Sequence, residues 1–484
     1  MDQFCGNYTA CRDAFATYLR VKDSFDIVER RLSVGEEELT LFFIDGFIKD
    51  AELQRLLQYC LSQKEIGSAE ALLRRLPQAE AEITADPKKL ARDILSGQCG
   101  ILCSTFGAVA LSVDVRAYPS RGVGEPEGDR VMQGARDGFV ETLVVNTALL
   151  RRRIRDVRLT MHHHNLGGSS GTDLVVCYME GVADPAYVDS VMKKVRALRP
   201  RSLTLGTQSL AESLIPSGWF NPFPKIRTTE RPDAAAAQLV EGSVLILCDT
   251  SPLAMILPTS LFDYLQQTDD YYFPPLTGTY LRLVRIAILL LSVVSTPLWY
   301  LALMYPSVLP PGLLFLIPND PGALPIILQL FLAELAIDGL KIASMNTPDM
   351  LSNSLSVVGA LILSDFAIGV GWFCEDVILY MAIVAIANFA QQNHELGYAF
   401  KFMRMMILAL TATLGIAGFV LGIFLFFFFV VSNKTVDGRH YYLYPLLPWN
   451  GKAMKRLLFR TRKNDFYAED DPNGQASPHR RHPS

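Results

Sequence analysis

The chain has 484 residues, with 45 Lys and Arg against 49 Asp and Glu, a formal net charge of −4 and a mean hydropathy of +0.22. That length exceeds one ordinary domain, and the near-balanced charge, with no basic groove interleaved with aromatics in the first half, gives no reason to expect nucleic acid as a partner. The averages conceal two halves, one dense in charge up to about residue 267 and one nearly free of it from 286 to 431.

The first fifteen residues have no basic start, no apolar core and no small-residue cleavage site, so no signal peptide is expected and the first half should stay in the compartment where it is made. Eight scattered cysteines lack the paired spacing of a zinc site and read as reduced, mostly buried thiols of a cytoplasmic domain. Residues 38–46 read as a strand ending at a turn, and 50–62 carry apolar positions at helical spacing. Two β-rich runs flank Phe106 and Gly107 as in a hairpin, and 138–154 read as an amphipathic helix with a basic end. A second cycle follows: strands over 157–164 and 173–179 around the turn LGGSSG, helices over 185–198 and 231–239, and a closing hairpin over 243–248 and 253–257. This predicts two small α/β subdomains, residues 1–137 and 138–275, the second including a linker.

Five apolar segments follow, predicting an all-α polytopic membrane domain over 276–432. Residues 286–304 run nineteen positions without a charge, enough to cross a bilayer core. Arg282 and Arg285 stand at the near end, placed to snorkel to headgroups, and Pro297 marks a kink. The loop 305–325 has six prolines and neither Lys nor Arg. Segments 326–343, 350–372, 377–390 and 405–431 complete the set. Basic residues put the start of the first span, Lys401 and Arg404, and the tail 433–484 on the cytoplasmic side. Both ends inside require an even number of crossings, so one of five segments must be re-entrant or lie flat. Segments 326–343 and 377–390 are the two candidates.

Glu334, Asp338 and Lys341 fall at i, i+4 and i+7, on one face of a helix. A charge in hydrocarbon costs at least about 2.5–3.5 kcal/mol, so this stripe cannot face lipid. One reading is the lining of an ion path, with Asp365 adding a further acid. The surplus of negative charge, repeated around an oligomer, would favour cations. The other is a purely structural pairing of Asp338 with Lys341 and of Glu334 with a neighbouring helix. Gly415, Gly418 and Gly422 are spaced for close helix packing. Lys452, Lys455, Arg456 and Arg460 belong to an acid-free basic run suited to an anionic membrane surface, and residues 465–484 read as disordered.

No metal site or cofactor is expected. His162, His163 and His164 are consecutive on a strand, so at most two can face one ion, and a solvated strand end is the simpler reading. The letters GGSSG match GxSxG at Ser169, but strands on both sides exclude the strand-to-helix elbow that motif needs. No catalytic constellation assembles, so an enzyme is not expected.

Residues 133–154, QGARDGFVETLVVNTALLRRRI, resemble the signature of the GerA spore germination family, in which Gly-Pro-x-x-Gly-Phe-x-Glu precedes an Asn and an Arg-rich helix end. The stretches 221–242, 270–285 and 448–459 agree, so the resemblance runs from about residue 15 to 460. Residues 331–348 and 359–389 resemble the branch of that family called stage V sporulation protein AF. Ala135 departs from the family proline, Thr250 stands where a glycine often precedes Ser-Pro, and the triple histidine is unusual. The resemblance implies action in endospore germination at the spore's inner membrane. It also implies a homo-oligomeric, cation-conducting design and association with B- and C-type receptor subunits or a small membrane partner. A scaffold that clusters or regulates receptors without conducting is the alternative.

Overall fold

A computed structural model describes residues 1, 3–78, 80–118, 134–215, 220–267, 269–345, 369–391, 393–438 and 441–459. The N-terminal half contains two five-stranded antiparallel sheets. The first holds β1 (Ile27–Val34), β2 (Glu37–Ile44), β3 (Ala81–Thr84), β4 (Cys99–Cys103) and β5 (Ala110–Val113), in the order β1-β2-β4-β5-β3. The second holds β6 (Leu159–Leu166), β7 (Thr172–Met179), β8 (Arg227–Thr229), β9 (Val244–Cys248) and β10 (Ala254–Leu257), in the order β6-β7-β9-β10-β8.

Each sheet is covered on both faces, which is why its inner strands read as continuous apolar runs. Phe42, Ile44 and Leu102 face α1 (Tyr8–Leu19) and α4 (Pro87–Leu95), while Leu39, Leu41 and Ile101 face α2 (Asp50–Ser62) and α3 (Ala69–Arg75). In the second sheet Val175, Cys177 and Leu245 face α5 (Leu143–Arg153) and α8 (Pro232–Val240). Leu174, Val176 and Ile246 face α6 (Pro185–Ala197) and α7 (Thr207–Leu214). Alternation along the strand assigns each residue its layer.

The identical strand order reveals an internal duplication. Thr84, Pro87, Gly97 and Cys103 recur at one constant offset as Thr229, Pro232, Gly242 and Cys248, and Gly97 and Gly242 share left-handed φ of 98° and 94°. The predicted helix over 138–154 begins only at Leu143. Residues 139–141 are extended because Phe139 N–H donates to Glu230 O at 2.7 Å and Thr250 N–H to Glu141 O at 2.7 Å, while the Asn146 side chain holds Val140 N–H at 2.8 Å. The subdomains are clamped by Arg151, which donates to both carboxylate oxygens of Asp26 at 2.7 and 3.0 Å and to Leu159 O at 3.1 Å, all fully buried.

Thr250 adopts φ 62°, a region that suits glycine and strains a β-branched residue. This accounts for the glycine expected there. Thr250→Gly should raise stability by about 1 kcal/mol, seen as a higher Tm for the N-terminal half's transition in the solubilised chain; an unchanged or lower Tm would contradict the strain.

The C-terminal half is mostly helical. α9 (Asp269–Tyr272) leads into α10 (Pro275–Met304), thirty residues that continue through Pro297. α11 (Ile326–Met345), α12 (Glu375–Phe389), α13 (His394–Leu414), α14 (Ile416–Val431) and the short α15 (Gly451–Leu458) follow. Among the described residues only α10 is both long and apolar enough to cross a bilayer, and α14 is a shorter apolar helix. α11 and α13 fall outside that class because they carry charged residues, among them Glu334 and Asp338 on α11 and Lys401 and Arg404 on α13, which pair across the two helices.

Side-chain contacts give the course of these helices. α10 leaves the N-terminal half and α11 returns, bringing Lys341 within 3.4 Å of His394 at the start of α13. α12 starts at the far end, where Cys374 N–H donates to Gln329 Oε1 at 2.9 Å, and ends beside α13. The apolar segment 405–431 is not one continuous helix: it divides at Gly415 into the end of α13 and α14, which folds back along it. Gly422 opposes Ile407 and Gly418 opposes Leu410, as in an antiparallel hairpin. Most of segment 350–372, with Asp365, lies outside the described residues.

Candidate functional site

The helical half encloses four charges. Glu334 on α11 is 3% exposed, and Arg404 on α13 is 1% exposed. Arg404 Nη2 and Nε lie 2.5 and 2.7 Å from Glu334 Oε1, and Arg404 Nη1 donates to Ser292 O on α10 at 3.1 Å. Lys401, one turn earlier on α13, pairs with Asp338, donates to Glu334 O at 3.3 Å and lies 3.6 Å from Glu334 Oε2. The i, i+4 spacing of the acids thus meets an i, i+3 spacing of bases across the helix interface.

This arrangement bears on three expectations. Lys401 and Arg404 are buried between α10, α11 and α13 instead of standing exposed at a helix end. Asp338 pairs with Lys401 rather than Lys341, whose ammonium sits 4.6 Å from the Tyr398 ring centroid and near His394. Among the described residues two acids face two bases, and Asp365, the further acid of the expected surplus, lies outside them. Removing one member of such a set leaves an uncompensated charge, at a cost of about 3–5 kcal/mol.

The sequence missed a second cluster. Asp270 is fully buried between Arg282 and Arg285. Arg285 approaches its two oxygens at 3.2 Å each and donates to Leu265 O at 2.9 Å, while Arg282 reaches Asp270 at 3.3 Å and donates to Leu457 O at 2.8 Å. These arginines therefore bind protein instead of snorkelling to headgroups, because α9 folds an acid against the first turns of α10. The only signal was that Asp270 and both arginines share one stretch, 270–285.

A third set joins the halves. Asn221 donates to Phe429 O at 3.1 Å and to Asn433 Oδ1 at 2.9 Å. The Phe223 ring packs on Phe400, Phe426 and Tyr442 with centroids 5.8, 6.0 and 6.3 Å away.

Gly415 has φ 60° and ψ −133°, a conformation open essentially to glycine alone. A Cβ at Gly418 would lie 1.9 Å from Leu410 O, and one at Gly422 would lie 3.0 Å from Ile407 Cα. α15 carries Lys452, Lys455 and Arg456; Lys455 is exposed, and Arg460 lies outside the described residues.

In the N-terminal half, His162 Nε2 lies 3.1 Å from Tyr178 OH, and His163 Nε2 lies 3.0 Å from Asp173 Oδ1. Burial lowers the pKa of His162 and of His164. Among the described residues no group of three His, Cys, Asp or Glu could hold a metal ion. Ser169 lies in the turn between β6 and β7, with no helix following it. All eight cysteines are free thiols, Cys5 exposed and the others buried, and burial pushes Cys60 and Cys248 up to about 11.

These features define a two-part protein: a duplicated α/β half fastened to a helical half that carries a bilayer-length apolar helix and an internal set of paired charges. The chain belongs to the Bacillus/Clostridium GerA spore germination protein family, whose profile matches residues 16–469. Stage V sporulation protein AF of Bacillus subtilis is 38% identical over 445 residues, covering 91% of this chain and 90% of that one. Spore germination protein KA of Bacillus subtilis is 25% identical, covering 92% and 83%. Among solved structures, the N-terminal domain of the A subunit of the Bacillus megaterium spore germinant receptor GerK3 is 21% identical with a TM-score of 0.38, covering 52% of this chain and 95% of that chain.

Proposed function

We propose that this chain is a subunit of an oligomeric, cation-conducting membrane assembly acting in endospore germination. On this reading it sits in the spore's inner membrane, with its N-terminal half and tail on the core side. The carrying observation is the Glu334–Asp338–Lys401–Arg404 set among apolar helices, with Glu334, Lys401 and Arg404 buried and Asp338 half-buried. Buried ionisable groups at membrane depth mark pathways more often than packing. Here the bases mask the acids within one protomer, so a shift of α11 against α13 would unmask Glu334 and Asp338 as cation ligands. Family membership supports the germination role, and the attachment of the tail to the start of α10 supports a common side for both ends. Further copies of the chain and other germination membrane proteins, of B and C type or smaller, are the partners this reading implies.

The test is potassium efflux from liposomes containing the purified, monodisperse full chain. Wild type should conduct, and Glu334→Gln/Asp338→Asn should lose at least tenfold of the flux. Adding Lys401→Gln and Arg404→Gln restores neutrality, and flux should stay lost if the acids line the path. Recovery in that fourfold variant would give the charges a packing role only. Absence of flux from folded, oligomeric wild type would favour the second reading, a non-conducting scaffold that clusters or regulates receptors. The equality of acids and bases is the observation on its side.

A further inference from the structure

α10 fixes a depth scale. Thirty residues span about 45 Å, whereas the uncharged run 286–304 spans about 28 Å, close to the ~30 Å of a hydrocarbon core. If α10 crosses the bilayer as proposed, Arg282 and Arg285 stand at its inner boundary and residues 275–281 at headgroup level.

The tail is fixed to that level. Arg282 Nη1 donates to Leu457 O at 2.8 Å, so α15 lies beside the entry of α10. Asn450 caps α15 by accepting from Ala453 N–H at 3.1 Å, and its amide donates to Tyr444 OH at 3.0 Å. Around this point large apolar side chains are exposed: Leu447, Trp449 and Phe459 on the tail, and Leu276 and Tyr280 on the first turns of α10, Trp449 being 69% and Leu276 83% exposed. Basic residues stand at 452, 455 and 456, with no acid in residues 451–463.

From these observations we infer that α15 and the Leu447–Trp449 loop before it form a docking site for anionic phospholipid headgroups, built at the inner mouth of α10. Trp449 has an apolar body and an indole N–H suited to the boundary between tails and headgroups. The basic residues supply the charge that distinguishes anionic from zwitterionic lipid. The depth argument rests on α10 crossing the membrane.

The test uses the full chain, labelled with 5-fluorotryptophan, in nanodiscs of phosphatidylcholine with phosphatidylglycerol stepped from none to half. Trp449→Phe assigns the resonance. The Trp449 signal should move and lose its solvent-isotope sensitivity as phosphatidylglycerol rises, and should revert at high salt. Each basic residue contributes about fivefold to surface binding, so Lys452→Gln/Lys455→Gln/Arg456→Gln should weaken the response about a hundredfold. A Trp449 signal identical at every lipid composition, in protein that remains embedded, overturns the headgroup site. A response that persists in the triple variant overturns the role of charge. Failure of the protein to enter nanodiscs strikes the membrane reading itself and removes the depth argument with it.

Discussion

Glu334→Gln should destabilise the helical half by about 3–5 kcal/mol. The substitution keeps the shape and removes one charge from an interior where Arg404 contacts the carboxylate at 2.5 and 2.7 Å and Lys401 sits within 3.6 Å. Asp338 alone then faces two cations, and the Asp338 side chain is already 28% exposed. Uncompensated positive charge should loosen the contact of α11 with α10 and α13. Thermal melting and size-exclusion profiles in detergent would report this as a lower midpoint and loss of a single species. Adding Arg404→Gln should recover most of the loss, because Asp338 and Lys401 remain a balanced pair. Asp338→Asn should cost less, as its side chain reaches water. A single variant as stable as wild type, or a double variant no more stable than the single, would show that the four groups are not coupled.

The second large effect belongs to the hairpin at Gly415. Gly418→Ala sets a methyl 1.9 Å from the Leu410 carbonyl, a main-chain atom that cannot rotate away. The two helices must separate or slide, and the cost should exceed the about 1–3 kcal/mol usual for overpacking. Gly422→Ala meets Ile407 Cα at 3.0 Å, and a few tenths of an ångström would relieve it. The expected order is therefore wild type, then Gly422→Ala, then Gly418→Ala, read as Tm and as protease sensitivity near residue 415. Equal behaviour of the two alanine variants would contradict the close approach.

The inner strands and α2 were legible in the sequence because each has an unbroken apolar run or a clear helical period. β1 was not, since Glu29, Arg30 and Arg31 interrupt it, and it lies at an edge where half the positions meet water. The duplication escaped notice because it is spread thinly over Thr84, Pro87, Gly97 and Cys103 and their counterparts. The partners of Lys401 and Arg404 could not be read from position along the chain, because they lie 63 and 70 residues away on α11 and only the fold brings them together. Gly415 was visible as a glycine, but its reversal of direction depends on a backbone conformation that composition does not encode.

The ion set also constrains how the chain can be made. Glu334 and Asp338 leave the ribosome before their partners, which follow 63 and 70 residues later. At about 5–20 residues per second, α11 waits several seconds with two uncompensated acids. On the proposed reading the nascent α11 cannot settle among lipid tails during that interval. It must stay protonated, remain in the insertion machinery, or be retained near α10 until α13 emerges. Biogenesis would then pass through a committed step, in which the late-emerging Lys401 and Arg404 release an early helix into the bilayer.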